Sequence, residues 1–90
     1  MNDTNKLYAL TILTPNDAFL TASVKSVTIP SVSGAFQVLV NHAPIIAAID
    51  SGTLTTVDEQ DKTCQYTVKN GIAEFKNNQL TISVASAIAN

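Results

Sequence analysis

The sequence has no tryptophan and no arginine, and it holds a single cysteine and a single histidine among its 90 residues. The lone cysteine, Cys64, excludes an intrachain disulfide. Together with His42 it falls short of the four ligands that a typical structural zinc site needs. The three glycines, Gly34, Gly52 and Gly71, lie too far apart for a glycine-rich phosphate loop, and without arginine the bidentate recognition of phosphate has no agent.

Charge is also scarce. Charged residues make up 13% of the chain, the net charge is -2 and the pI is about 4.9. The only basic residues are five dispersed lysines, which argues against nucleic-acid binding. The first ten residues lack a basic region followed by an apolar core, and no apolar run approaches the roughly 20 residues that span a bilayer. We therefore expect neither a signal peptide nor a membrane span.

What the sequence does have is a hydrophobic share of 46% arranged mainly with a period of two. Tyr8, Leu10 and Ile12 fall on one side of a predicted strand, with Ala9, Thr11 and Leu13 on the other. The stretches "AFQVLV", "CQYTVK", "IAEFK" and "LTISVA" alternate in the same way. Turn signals recur roughly every 8–12 residues, among them Asn70-Gly71, and "DEQDKT" is the most polar stretch and predicts an exposed hairpin tip. The run "IIAAI" is apolar on both faces, as a fully buried strand would be. These patterns predict an all-β sandwich or barrel.

No catalytic arrangement is evident. As a general base, His42 would need an orienting partner, and no spacing recommends Asp50 or Asp17 for that role. A Cys64–His42 pair is conceivable, but Cys64 is in phase with core positions, which favours a buried thiol. The acidic residues of the hairpin tip do not match the spacing of a calcium loop and are expected to be solvated: Asp58, Glu59 and Asp61. We expect no enzyme activity, no metal and no cofactor.

A resemblance centres on "NHAPIIAAIDSG", which is similar to the signature of the epsilon subunit of bacterial rotary ATP synthases. The elements follow the family's order: a loop glycine at 34, a short strand at 36–40, His-Ala-Pro at 42–44, apolar residues at 45–49 and a glycine at 52. The resemblance extends over roughly residues 7–89. The chain departs from the family at Gln37, where glycine is usual, at Val40-Asn41, where proline-glycine is common, and at Ala35, where the family has an acidic residue.

The resemblance implies a flattened two-sheet β-sandwich of about eight to ten short strands, forming a single domain over residues 1–90 without the family's C-terminal helical hairpin. It also implies a non-catalytic rotor subunit in the central stalk of a proton-translocating ATP synthase. Such a subunit is part of a hetero-oligomeric complex, links the gamma subunit to the c-ring and supports the coupling of ion flow to ATP synthesis. It lies peripherally at the cytoplasmic face of the bacterial plasma membrane, without inserting into the membrane and without binding nucleic acid.

Two sets of site residues follow from the resemblance. The first is expected at the gamma interface: Thr14, His42 and Ala47. The second forms the loop expected to face the c-ring: Ser31, Val32, Ser33, Gly34 and Ala35. Because Gly34 follows a polar loop and opens a strand, we also predict that it has a loop-end conformation that a β-branched residue would resist, with a substantial cost if its φ angle is positive.

Alternative interpretations remain at this point. On composition alone, His42 could be a capped turn residue beside Pro44 instead of an interface residue. The chain could also be a free-standing all-β binding or adhesion module, which its serine and threonine content would suit, although tryptophan, the usual sugar-stacking residue, is missing. A small Cys–His enzyme is a third alternative, and it lacks an orienting group.

Overall fold

The structure is a computed structural model that describes residues 6–90. Within this range the chain is all-β, as predicted, and contains no helix. The strands are β1 (Tyr8–Thr14), β2 (Asp17–Ser31), β3 (Gly34–Leu39), β4 (Ile45–Ile49), β5 (Gly52–Asp58), β6 (Thr63–Lys76) and β7 (Gln79–Ala89).

Two long strands organise the sandwich. The first half of β2 pairs with β1, and its second half pairs with β3 and β5. The first half of β6 pairs with β5 and its second half with β4, while β7 lies along β6 and pairs in parallel with β1. Because β2 and β6 exchange partners halfway, each contributes to both layers. The molecule measures 39 × 24 × 21 Å, so it is elongated along one axis and its other two dimensions are nearly equal.

The core lies between the layers, and the period-two patterns identify most of it. Tyr8, Leu10 and Ile12 of β1 are buried, and Tyr8 meets the ring of Phe75 edge-on at a centroid distance of 5.2 Å. The buried hydrophobic residues are Tyr8, Leu10, Ile12, Val24, Val27, Ile29, Val38, Ile49, Leu54, Val68, Ala73, Phe75, Leu80, Ile82 and Val84.

The predicted turn at Asn70-Gly71 is wrong, and it accounts for a strand count of seven instead of eight or more. The chain runs straight through these residues inside β6. Asn70 has a positive φ of 32°, and Gly71 is the first residue of β6 that pairs with β4. A Cβ at Gly71 would overlap the carbonyl oxygen of Ser83 on β7. The sequence signal that suggested a hairpin therefore marks the place where a continuous strand changes partner at close range.

The prediction that "IIAAI" is buried on both faces is also wrong. In β4 only Ile49 is fully buried, and Ile46 is 73% exposed. Strand β4 pairs along its length with β6 alone and with β2 at a single residue pair, Ser31 and Ile49. One face of β4 covers the core, and its other face is open.

Candidate functional site

The open face of β4 continues across the neighbouring strands. Residues in register on adjacent strands place their side chains on the same side of a sheet. One row consists of four such residues: Ala48, Ile72, Ser83 and Leu13. Ile72 is 54% exposed and Leu13 is 36% exposed, so this row carries apolar side chains into solvent.

A second row runs parallel to the first and comprises Ile46, Glu74, Thr81 and Thr11. We call the two rows together the apolar face. Glu74 is its only charged residue, and Lys76 follows at its margin, two positions farther along β6. Large exposed hydrophobic side chains grouped on one sheet surface are typical of a protein–protein contact.

Residues 40–44 join β3 to β4 and contain His42, and we call them the His42 loop. This loop lies at one end of the apolar face. A groove of about 370 Å³ opens there, lined by Pro44, Ile45, Ile46, Glu74, Phe75 and Lys76. The imidazole of His42 meets Phe75 edge-on, with ring centroids 6.0 Å apart. Its Nδ1 donates to the carbonyl oxygen of Ala43 at 2.7 Å, and its backbone amide donates to the carbonyl oxygen of Leu39 at 3.1 Å. The side chain is half-buried and fixed from two sides.

The hairpin that joins β2 and β3 lies at the opposite end of β4. Ser31 pairs with Gly34 on β3 and with Ile49 on β4, and the Ser33 amide donates to the hydroxyl oxygen of Ser31 at 3.0 Å. Gly34 has a positive φ of 112°, a loop-end conformation that a β-branched residue resists, as predicted. Val32 is 65% exposed at the tip. The backbone of this hairpin is held while its tip points away from the core.

The other residues predicted for the gamma interface occupy different positions. Thr14 ends β1 and lines a groove beside Leu13 and Ser83, so it borders the apolar face. Ala47 is half-buried and in register with the buried Ala73. Its side chain therefore lies on the inward side of β4, beneath the face that Ile46 and Ala48 present.

The candidates for chemistry are engaged in structure. The Asp58 carboxylate accepts the backbone amides of Gln60 and Lys62 at 2.8 and 2.9 Å and so shapes the hairpin tip. The Asp50 carboxylate accepts the amide of Ser51 at 2.8 Å. Cys64 is half-buried beside Tyr66, where burial, and next the neighbouring thiol, raise the pKa of the phenol. Over residues 6–90 no three histidine, cysteine, aspartate or glutamate side chains cluster as metal ligands would.

The sequence reasoning missed the apolar face, although one signal was available. In "IAEFK" the phase opposite the buried Ala73 and Phe75 contains Ile72 together with Glu74 and Lys76. An isoleucine among the charged positions of an alternating strand indicates an apolar side chain left in solvent.

No helix in the described part of the chain is both long and apolar enough to cross a membrane.

Residues 7–90 match the family described as ATP synthase, Delta/Epsilon chain, beta-sandwich domain. The chain belongs to this family. It is 36% identical over 81 residues to the ATP synthase epsilon chain of Chlorobaculum tepidum, an alignment that covers 88% of this chain and 90% of that protein. It is 35% identical over 82 residues to the ATP synthase epsilon chain of Protochlamydia amoebophila, covering 91% of this chain and 55% of that one.

Several of the related epsilon chains are longer than this sequence, and the chain spans little more than half the length of the Protochlamydia protein. The fold also matches a chain in the structure of the Euglena gracilis mitochondrial ATP synthase containing OSCP, F1 and the c-ring, with a TM-score of 0.90 at 22% identity. That match covers 98% of this chain and 56% of the other. Membership in the epsilon family does not support the alternatives of a free-standing adhesion module or a Cys–His enzyme.

Proposed function

We propose that this protein is a non-catalytic subunit of the central stalk of a proton-translocating ATP synthase. In this role it binds the gamma subunit, contacts the polar loops of the c-ring and helps to transmit rotation between ion flow and ATP synthesis. The observation that carries the proposal is the apolar face, which groups the exposed side chains of Leu13, Ile46 and Ile72 on one surface of the sheet. Membership in the epsilon family identifies the kind of assembly in which such a face would be covered.

The gamma subunit is the proposed occupant of the apolar face. Burying a fully exposed isoleucine or leucine side chain is worth about 1.5–3 kcal/mol. Ile46, Ile72 and Leu13 are 73%, 54% and 36% exposed, so each would contribute a corresponding part of that energy. Thr14 and His42 border this face at opposite ends and would complete the contact. Ala47 supports it from beneath, where a larger side chain would meet the core.

The β2–β3 hairpin is the proposed contact with the c-ring. Residues 31–35 carry no charged side chain, and Val32 is exposed at the tip. This contact therefore relies on backbone groups, hydroxyls and one apolar side chain. The protein would lie peripherally at the cytoplasmic face of the bacterial plasma membrane, held there by its partners. It requires no cofactor in this role.

A pair of variants tests the proposal. Ile72→Glu places a charge on the apolar face. Ile88→Glu places the same charge at a similarly exposed isoleucine, whose partner Thr67 lies in the half of β6 that pairs with β5. Burying an unpaired carboxylate against gamma costs several kcal/mol, so we expect Ile72→Glu to weaken gamma binding at least about 30-fold in calorimetry.

The control variant should bind gamma as the unaltered chain does, and both variants should keep its melting temperature, because both sites are exposed. Equal losses of affinity in the two variants would show that the apolar face is not the gamma interface. Failure of the unaltered chain to bind gamma at all would reject the proposed function.

A further inference from the structure

Two asparagines from distant parts of the chain form a reciprocal pair of hydrogen bonds. The backbone amide of Asn41 donates to Oδ1 of Asn78 at 2.7 Å. Nδ2 of Asn78 donates in return to Oδ1 of Asn41 at 3.0 Å. The two residues are separated by 37 positions, so this contact joins the β3–β4 loop to the turn between β6 and β7.

Both residues have left-handed backbone angles, with φ of 66° at Asn41 and 57° at Asn78. Glycine and asparagine are the residues that adopt this conformation most readily. Glycine would satisfy the backbone equally well, but it has no side chain with which to reach across. Val40-Asn41 stands where proline-glycine is common in the epsilon family. Asn41 therefore keeps the backbone angle that glycine would adopt and adds a side chain that can form hydrogen bonds.

The pair lies next to the His42 loop. Asn41 immediately precedes His42, and the carbonyl oxygen of Asn78 accepts the backbone amide of Ala9 at 3.2 Å. Asn78 thus connects the loop before His42 to the start of β1. The edge contact between His42 and Phe75 fixes the same loop from a second side.

We propose that Asn78 is a positioning residue, which holds Asn41 so that His42 and Pro44 meet the gamma subunit in one fixed geometry. This inference rests on the proposed function for its partner, but its structural half stands on the free chain alone. A loop held in its bound conformation loses less conformational freedom on association, so its hydrogen bonds contribute to affinity without touching the partner.

The turn supplies a matched control. Asn77 precedes Asn78, has a similar φ of 53°, and is exposed. Asn77→Gly and Asn78→Gly remove the same side chain from the same turn and keep a residue that tolerates the backbone angle. Only Asn78→Gly breaks the contact with Asn41.

The first measurement is amide hydrogen exchange on the free chain. We expect the Asn41 amide to exchange at least about tenfold faster in Asn78→Gly than in Asn77→Gly, because it loses its acceptor. The second measurement is gamma affinity, which we expect to fall roughly three- to tenfold in Asn78→Gly and to remain unchanged in Asn77→Gly. Asn41→Gly removes the Oδ1 acceptor of Asn78 Nδ2 but keeps the backbone amide. In the double variant Asn41→Gly, Asn78→Gly the losses of gamma affinity from the two single substitutions should be less than additive, because both break the same side-chain hydrogen bond.

The outcomes separate the two proposals. Equal exchange at Asn41 in the two turn variants would overturn the positioning role. Faster exchange with unchanged gamma affinity would overturn the claim that the partner depends on the geometry of this loop. If the unaltered chain does not bind gamma, the proposed function fails and with it the partner half of this inference, while the exchange data still decide whether Asn78 holds the loop.

Discussion

The hydroxyl of Tyr8 donates a buried hydrogen bond of 2.7 Å to the carbonyl oxygen of Val38, 30 positions farther along the chain. Tyr8 lies on β1 and Val38 on β3, two strands that are not neighbours in the sheet. The bond therefore crosses from one part of the sandwich to another. Because a carbonyl oxygen only accepts hydrogen bonds, the buried phenol keeps this bond only while its hydroxyl is protonated.

Replacing Tyr8 with phenylalanine should destabilise the protein by about 1–3 kcal/mol at neutral pH, because the buried carbonyl of Val38 loses its donor. Urea denaturation measures this directly. Tyr66→Phe is the comparison, since that hydroxyl is only half-buried and should cost less. A loss for Tyr8→Phe no greater than for Tyr66→Phe would show that the bond across the sandwich adds little.

The same residue predicts how stability depends on alkaline pH. Burial raises the pKa of Tyr8 well above its usual range, so the unfolded chain loses this proton first. Its contribution to stability is complete below the ordinary phenol pKa of about 10 and is lost above it, at about 1.4 kcal/mol for each pH unit. The destabilisation of Tyr8→Phe relative to the unaltered chain should therefore shrink between about pH 10 and 11. A difference that stays constant over this interval would contradict the assignment.

The close approach of Gly71 to β7 predicts a large cost for the smallest side chain. In Gly71→Ala the new Cβ would overlap the Ser83 carbonyl oxygen and lie 2.8 Å from the Ser83 carbonyl carbon. Both are backbone atoms, which cannot rotate out of the way as a side chain could. We therefore expect a loss of about 1–3 kcal/mol or more in unfolding free energy. Gly52→Ala is the matched control: its nearest contact is Cβ of Pro30 at 3.1 Å, and it should cost less. The reverse order would contradict the interpretation.

These residues also show how far the sequence could predict the fold. Alternation identified the inward positions of β1, β6 and β7, because each of these strands has one face on the core. It failed at Asn70-Gly71, where the dipeptide typical of a two-residue hairpin sits inside a continuous strand. Gly71 is required because it packs closely against Ser83 of β7. This is a tertiary contact, and the neighbouring stretches "CQYTVK" and "IAEFK" contain no signal for it.

The site was predicted less completely than the fold. Resemblance to the epsilon family predicted Thr14, His42 and Ala47 at the gamma interface, and this stays a prediction. Thr14 and His42 lie beside the apolar face, whereas Ala47 lies beneath it. The face itself combines Ile46, Ile72 and Leu13 from three strands. Their juxtaposition depends on register between β4, β6, β7 and β1, which alternation within a single strand does not supply.

Substitutions at Gly34 measure the cost of backbone strain without a contribution from side-chain clashes. Its φ of 112° is unfavourable for any residue with a side chain, yet a Cβ there would meet no atom within 4 Å. Gly34→Val should therefore cost roughly 1–3 kcal/mol from strain alone. Gly34→Asn should cost less, because asparagine tolerates positive φ better than a β-branched residue. Thermal unfolding of both variants measures the difference, and a neutral Gly34→Val would refute the strain.

His42→Ala separates an interface residue from a loop residue. The imidazole is half-buried against Phe75, so its loss should cost about 1 kcal/mol of stability through that contact. If it also meets gamma, the affinity for gamma should fall by more than this change in stability explains. Melting temperature and gamma affinity measured on the same preparation make the comparison. An unchanged affinity would assign His42 to the loop alone.

The composition of the apolar face predicts how gamma binding responds to salt. Glu74 is the face's only charge and Lys76 stands at its margin, so electrostatic attraction has little to act on. The dissociation constant should change by less than about threefold between about 0.05 and 0.5 M salt, whereas a contact built on ion pairs would weaken strongly as the screening length shortens. Burial of apolar area should instead appear as a negative heat-capacity change on binding. Calorimetry at several temperatures and salt concentrations measures both, and the variant Glu74→Gln should leave the salt dependence unchanged. Binding that weakens more than about tenfold over that salt range would show that gamma binds through charged residues elsewhere on the sandwich and not through the apolar face.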